Sequence, residues 1–255
     1  MNELTKSILK LIEKFEKEEI SIGCSDSKVF KYTNGKITYF LKIAKIGLLT
    51  REYKALTWLD NKLDVPKIIK YEIYNDMEYL LTESLKGEMI CSDYYVKNPE
   101  LAIDLLVKAF SELKKVDIEN CPFNVGIDYK LNLIKDNVDK GLITGEFITD
   151  DTLDKYNGVS GILKYLQDNK FNDEKCFSHG DTSLPNIFVN ENNFIGFIDV
   201  GECGIADKWF DLAICEKSII RNFGKEYVEL FYKKLQIVPD RFKIDYYLLM
   251  MNLYL

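Results

Sequence analysis

The sequence predicts an α+β chain in two lobes: a small antiparallel β-sheet lobe carrying one helix over residues 1–85, and a larger, mainly helical lobe over 86–255. Three observations predict this. Apolar residues alternate with a period of two across residues 20–85, the spacing that buries one face of a sheet. Beyond Pro99 the apolar spacing turns helical. At 255 residues the chain exceeds the usual single-domain size, so one large domain or two packed lobes is expected.

The elements follow in order. Leu4, Ile8, Leu11, Ile12 and Phe15 predict an amphipathic helix rather than the unbroken apolar run of a signal peptide. Residues 29–33 and 37–43 read as strands around Asn34 and Gly35, a two-residue hairpin signal because both positions tolerate positive φ. Residues 51–63 place Leu56, Leu59 and Leu63 on one helical face, ended by Val65 and Pro66. Residues 68–74 and 78–83 return to strand spacing, and 84–87 form a candidate hinge. Pro99 suits the first position of a helix whose stripe is Leu101, Leu105, Leu106, Ala109 and Leu113. Within the helical half, 187–189 and 194–198 bracket the turn-rich 190–193, predicting a short hairpin. Trp209, Leu212, Ala213, Ser218 and Ile219 resume helical register, and 245–255 reads as a terminal apolar helix.

Composition narrows the function. A net charge of −7, from 34 Lys and Arg against 41 Asp and Glu, supplies no basic face for nucleic acid and suits a cationic small molecule. No segment has the length of apolar residues that a membrane span requires. The cysteines are scattered without a Cys-x-x-Cys pair, as expected of reduced thiols in the cytoplasm.

The chemistry concentrates around the second hairpin. Ser178, His179, Gly180 and Asp181 precede it, Asn186 follows Asp181 by five residues, and Phe197, Ile198 and Asp199 close it. A phosphoryl-transfer site needs one carboxylate beside the attacking hydroxyl, plus an amide oxygen and a second carboxylate as hard ligands for Mg²⁺. Asp181, Asn186 and Asp199 supply that set, and one hairpin would hold Asn186 near Asp199. Singly, each has a structural reading as a turn, loop or cap residue; jointly, their spacing points to phosphoryl transfer. Lys42 lies in the apolar run 39–43 and Glu52 opens the following helix, which gives a strand lysine its partner. His179 is the only histidine, which excludes a His-rich zinc site. A triad of Ser178, His179 and Asp181 would require three nearly adjacent residues to converge, so His179 reads as a structural residue of the loop.

Together these motifs resemble the aminoglycoside 3′-phosphotransferases, a family with a fold like that of eukaryotic protein kinases. The resemblance is densest over 176–181, 184–189, 196–201 and 206–211 and extends over nearly the whole chain. It implies an enzyme, a phosphotransferase with an alcohol group as acceptor, that uses ATP or GTP with Mg²⁺ to modify a polycationic aminoglycoside and so confers resistance. By the same resemblance Asp181 is the catalytic carboxylate, Asn186 and Asp199 bind metal, and Lys42, fixed by Glu52, contacts the nucleotide phosphates. Ser25, in the reduced glycine loop 23–27, would contact phosphate, while Phe40 and the hinge backbone at Glu83 and Ser84 would hold the adenine. Acceptor contacts are implied for Glu146, Asp150 and Asp151, which cluster with Asp154 in the segment before the catalytic loop, a segment that reads equally as a solvated acidic loop. The tail lacks the acidic side chains usual in the family, leaving the terminal carboxylate of Leu255. That altered tail keeps open a kinase for another hydroxylated metabolite or antibiotic. A catalytically silent nucleotide-binding module would have lost Lys42, Asp181, Asn186 or Asp199, and all are present.

Overall fold

The computed structural model describes residues 4–20, 27–146, 148–191 and 193–253. In chain order the first elements are α1 (Lys6–Ile12), β1 (Glu16–Ile20), β2 (Lys28–Thr33), β3 (Thr38–Lys45), α2 (Thr50–Leu59), β4 (Ile68–Tyr74), β5 (Met77–Glu83) and β6 (Glu88–Met89). There follow α3 (Asp93–Val96), α4 (Pro99–Lys115), α5 (Ile127–Asp139), α6 (Asp150–Tyr156), α7 (Gly158–Asp168), β7 (Lys175–Ser178), β8 (Ile187–Asn190) and β9 (Asn193–Phe197). The chain ends with β10 (Gly204–Asp207), α8 (Lys208–Asn222), α9 (Tyr227–Leu235) and α10 (Arg241–Met251). It divides into two compact units, Met1–Glu88 with Ile187–Glu202, and Met89–Asn186 with Cys203–Leu255. The hairpin β8–β9 therefore groups with the strand-rich unit rather than with the helices that flank it in sequence.

In the first unit the sheet runs β1-β2-β3-β5-β4, and its neighbouring strands are antiparallel. One face packs on α1: Ile8 and Ile12 meet Phe30, Tyr32, Leu41, Ile43, Tyr79 and Leu81. Fully burying each such side chain stabilises the fold by about 1.5–3 kcal/mol. Because side chains alternate along a strand, Phe40, Lys42 and Ala44 of β3 and Glu78 and Leu80 of β5 share the opposite face. The hairpin β8–β9 is tied to the same unit, since Phe197 N–H donates to the Asp64 carbonyl at 2.9 Å. Gly196 permits this approach; a Cβ there would lie 2.5 Å from that carbonyl oxygen.

Several sequence expectations change here. Leu11 is exposed, so the buried stripe of α1 is Ile8 and Ile12 alone. The first hairpin has a four-residue loop rather than a two-residue turn, because Thr33 pairs with Thr38. Asn34 Oδ1 accepts the N–H groups of Lys36 and Ile37 and closes the loop early. Helix α2 stops at Leu59, ahead of Asn61 at φ 62°, and Leu63 is buried outside it.

In the second unit α8 is buried nearly all round, as a central helix must be, with Trp209, Phe210, Leu212, Ala213, Cys215 and Ile219 in the core. Asp207 caps it, accepting Trp209 N–H at 2.8 Å and also Glu174 N–H at 2.6 Å. Its buried Glu216 is matched by both Arg241 guanidinium nitrogens at 2.8 Å and by Tyr232 Oη at 2.7 Å. Pro99 occupies the start of α4, as its sequence position predicts. The terminal helix begins at Arg241, four residues earlier than expected, because Asp240 accepts Lys243 N–H and caps it. Among the described residues no helix is long and apolar enough to cross a membrane.

Candidate active site

In the first unit Lys42 reaches two carboxylates. Its Nζ lies 2.8 and 3.0 Å from the Glu52 carboxylate oxygens and 2.5 Å from Asp199 Oδ1. Strand β3 fixes the lysine stem on the face opposite α1, and Glu52 comes from the first turn of α2. Burial alone would push the Lys42 ammonium down; Glu52 and Asp199 more than offset it, so its pKa sits above the ordinary lysine value. Burial pushes the Glu52 carboxyl up against the opposing pull of Lys42. Asp199 stands two residues beyond β9 with φ 56°, a left-handed conformation that costs a non-glycine residue about 1–2 kcal/mol. Its side chain is half exposed, leaving carboxylate surface for a ligand.

In the second unit, β7 leads into a loop fastened from behind by α8. Asp211 of α8 is buried, and its carboxylate accepts His179 N–H at 2.8 Å and Gly180 N–H at 3.1 Å. Thr182 Oγ1 donates to the Asp211 carbonyl at 2.6 Å. Burial pushes the Asp211 carboxyl up, opposed by His179, by these N–H donors and by Ser178. His179 is fully buried, and its Nδ1 accepts Asp181 N–H at 3.1 Å, the loop-fixing role expected from sequence. Asp181 is then held at both oxygens: Oδ1 accepts Ser183 N–H at 3.1 Å and Oδ2 accepts Asn186 Nδ2 at 2.8 Å. Asn186 also donates through Nδ2 to the Asp181 carbonyl at 3.0 Å, which makes Oδ1 its acceptor atom for a ligand.

These donors test the fit of a metal. Asn186 Oδ1 and the Asp199 carboxylate are hard oxygens of the kind Mg²⁺ takes, usually with water and substrate phosphate completing its shell. Asn186 is peptide-bonded to Ile187, whose strand partner is Phe197, two residues before Asp199. Each residue taken by itself offers a donor of the kind the ion takes.

The other sequence candidates fare differently. Ser25 and Leu255 lie outside the described residues. Phe40 is half-buried on the same sheet face as Lys42. Glu83 and Ser84 have their N–H groups engaged by the carbonyls of Lys67 and Thr38, each at 2.9 Å. A base at this strand would therefore be left the backbone carbonyls of Glu83 and Ser84. Glu146, Asp150 and Asp151 are exposed, and the last two sit in the first turn of α6, where negative charge also favours the helix N-terminus. Sequence reasoning did not single out Asp211 or Glu78. Both are buried acids that accept N–H groups far away in sequence; Asp211 closes the motif 206–211, and Glu78 is marked only as an acid in an apolar strand.

Residues 17–245 match the model of the Phosphotransferase enzyme family. An aminoglycoside 3′-phosphotransferase of Enterococcus faecalis is 33% identical, over 98% of this chain and 98% of its own. One of Campylobacter jejuni is also 33% identical, over 90% and 93%. Among solved structures, the aminoglycoside 3′-phosphotransferase of type VIII superposes with a TM-score of 0.82 at 21% identity, covering 98% of this chain and 97% of that one. An aminoglycoside phosphotransferase of Streptomyces rimosus, in complex with ADP and streptomycin, gives 0.76 at 20% identity, over 96% and 95%. The structural likeness establishes the protein-kinase-like fold, and the sequence likeness, which spans nearly the whole chain, establishes descent. The chain thus belongs to the phosphotransferase enzyme family, among the aminoglycoside 3′-phosphotransferases.

Proposed function

We propose that this protein transfers the γ-phosphoryl group of ATP or GTP to the 3′-type hydroxyl of an aminoglycoside antibiotic and so confers resistance. The observation that carries the chemistry is the coupling of Asp181 to Asn186. One amide group fixes the carboxylate through its Nδ2 and keeps its oxygen as the atom that would take a metal. The substrate class rests on full-length relatives carrying that name, and the net charge of −7 suits a polycation.

Each residue has a role that follows from its setting. Asp181, with its rotamer locked by Ser183 and Asn186, orients the acceptor hydroxyl and takes its proton as the oxygen attacks. Lys42, kept charged by its carboxylates, contacts the nucleotide phosphates, and Glu52 fixes its position. Asn186 and Asp199 would hold Mg²⁺, which when bound neutralises charge on the phosphates. Glu146, Asp150 and Asp151 offer exposed carboxylates to acceptor ammonium groups, a contribution that salt screens. The uncharged Met251 and Asn252, at positions where the resemblance implies acids, favour a second reading, a kinase with the same machinery for another hydroxyl compound.

The test is an assay of the purified protein with Mg²⁺ and ATP or GTP. It uses a panel of aminoglycosides beside hydroxylated non-aminoglycoside antibiotics, with products read by mass spectrometry. Phosphorylated kanamycin- or neomycin-type products are expected. Product only from the non-aminoglycosides would install the second reading, and no product from any acceptor would overturn both.

A further inference from the structure

We infer that Glu78 of β5 is a positioning residue for nucleotide binding, acting through α2 on Glu52 and Lys42. The inference rests on the reading above that Lys42 contacts nucleotide phosphates. Glu78 is fully buried, and its partners are N–H and O–H groups rather than a side-chain cation. Oε2 accepts the N–H groups of Leu49 at 2.5 Å and Thr50 at 3.0 Å; Oε1 accepts the hydroxyls of Thr50 and, at 2.7 Å, Tyr71.

Those two N–H groups belong to the start of α2, where the first turn leaves donors without intrahelical acceptors. The helix has no cap of its own, because Leu49 stands at the cap position. A carboxylate reaching in from β5 supplies it, at the end of the helix where negative charge is favoured. Burial alone would raise the Glu78 pKa; hydrogen bonds from Thr50, Tyr71 and the N–H groups of Leu49 and Gly47 more than offset it, so the group stays ionised.

Register makes this more than a helix cap. Glu78 pairs with Ala44, and Lys42 pairs with Leu80, so the two side chains stand on one sheet face one pleat repeat apart. The first turn of α2 is thereby tied to the sheet twice, its N–H groups to Glu78 and its Glu52 carboxylate to Lys42. Releasing the first tie lets Glu52 drift from Lys42. A second fixture leans the same way, as Tyr71, which donates to Glu78, stacks on Tyr53 of α2 with ring centroids 4.0 Å apart.

The experiment compares the dissociation constant of Mg·ADP, measured by calorimetry, for wild type, Glu78→Gln, Tyr71→Phe, Glu52→Gln and the double variant Glu78→Gln with Glu52→Gln. Thermal midpoints and steady-state KM and kcat are taken alongside. Glu78→Gln is expected to weaken Mg·ADP binding about tenfold, the loss of one hydrogen bond to a charged group, and Tyr71→Phe about two- to threefold. The acceptor KM should stay within about twofold of wild type. In the Glu52→Gln background the Glu78→Gln effect on binding should vanish while its effect on the thermal midpoint persists, since contacting residues that act as one unit are not additive. If Glu52→Gln alone leaves Mg·ADP affinity unchanged, the phosphate role of the Lys42–Glu52 pair is wrong. If Glu52→Gln weakens binding but Glu78→Gln and Tyr71→Phe lower only the thermal midpoint, or add fully to Glu52→Gln, Glu78 is merely structural. Should Glu78→Gln fail to fold, Tyr71→Phe in the two backgrounds decides by the same criteria.

Discussion

Replacing Asp211 by Asn tests whether the catalytic loop is held by a carboxylate or merely by shape. The wild-type carboxylate accepts His179 N–H at 2.8 Å and Gly180 N–H at 3.1 Å in a buried setting. The carboxamide keeps one acceptor oxygen and sets an NH₂ group against the other N–H. One charge-assisted hydrogen bond is lost, about 1.5–3 kcal/mol, and one buried N–H is left unmatched, about 1–3 kcal/mol. Against this, a neutral amide avoids the desolvation that raises the Asp211 pKa, so the net destabilisation should be about 2–4 kcal/mol. That is a large share of a typical folding stability of about 5–15 kcal/mol, yet the protein should remain folded. Because Asp181 N–H bonds to His179 Nδ1, loosening the loop displaces the carboxylate proposed as catalytic, and a displacement near 1 Å costs about 10²-fold in rate. Urea unfolding gives the first quantity, and steady-state kinetics with both substrates gives the second. The expected result is a lower urea midpoint with kcat reduced about 10–100-fold and nucleotide KM within about threefold. An Asn variant with wild-type midpoint and kcat would show that loop geometry does not depend on the charge of Asp211.

Three further outcomes follow from the site and its surroundings. Asp199→Ala should abolish turnover even at saturating Mg²⁺, since it removes a metal ligand; wild-type product formation would refute that assignment. Asp181→Asn should keep Mg·ADP affinity while lowering kcat by about 10²–10⁴, and a collapse in affinity with turnover preserved would mean the residue serves the nucleotide instead. Glu174, bonded to Lys208 at 2.6 Å, Lys243 at 2.7 Å and Trp209 Nε1 at 3.0 Å, has its pKa held at about 2 by those three partners in that order. Its folded pKa lies below the unfolded value of about 4.3, so its stabilisation is present above that pH and lost as pH falls toward the folded value. The group is half exposed, so screening limits this to about 0.5–1 kcal/mol. Urea midpoints of wild type and Glu174→Gln should converge between about pH 5 and pH 2, and parallel profiles would refute the linkage.

Much of the fold was legible because it is written in local periodicity. The alternation around Lys42 placed it on a strand, and the apolar runs 187–189 and 194–198 marked the hairpin, which begins at Ile187, directly after Asn186. What escaped was of three physical kinds. Strand β1, Glu16–Ile20, is an edge strand with exposed charges and lacks the apolar alternation that marks a strand; it is held by pairing with β2. Strand β10, Gly204–Asp207, carries no β-branched run and owes its form to β7, so only tertiary pairing reveals it. The end of α2 at Leu59 is set by the left-handed backbone at Asn61, a choice that an Asp-Asn-Lys segment permits without requiring. The site shows the same division. Spacing displays the pairings of Lys42 with Glu52 and of Asp181 with Asn186, whereas the bonds of Asp211 and Glu78 to N–H groups some thirty residues distant are not legible there.

Those two acids share a physical solution with consequences for the chemistry. Glu78 and Asp211 are buried carboxylates whose hydrogen-bond donors include backbone N–H groups at the start of a helix or in a loop. Glu72 acts similarly at the start of α1, where the hydroxyls of Thr5 and Ser7 donate to it. A buried carboxylate left bare would be costly by several kcal/mol, and several aligned donors offset that cost without consuming a lysine or arginine. Phosphoryl transfer asks a protein for fixed positions and for positive charge aimed at the phosphates, with little covalent work of its own. Fastening the loop and α2 through backbone donors serves the first need and, on the proposed reading, leaves Lys42 to the second. Its second carboxylate, Asp199, is half exposed, and on the proposed reading it would serve as a metal ligand while Lys42 contacts phosphate. The difference between Glu52 and Asp199 is then one of setting. Glu52 is enclosed beside the lysine, whereas Asp199 sits half exposed on a left-handed backbone, which leaves its carboxylate within reach of a ligand.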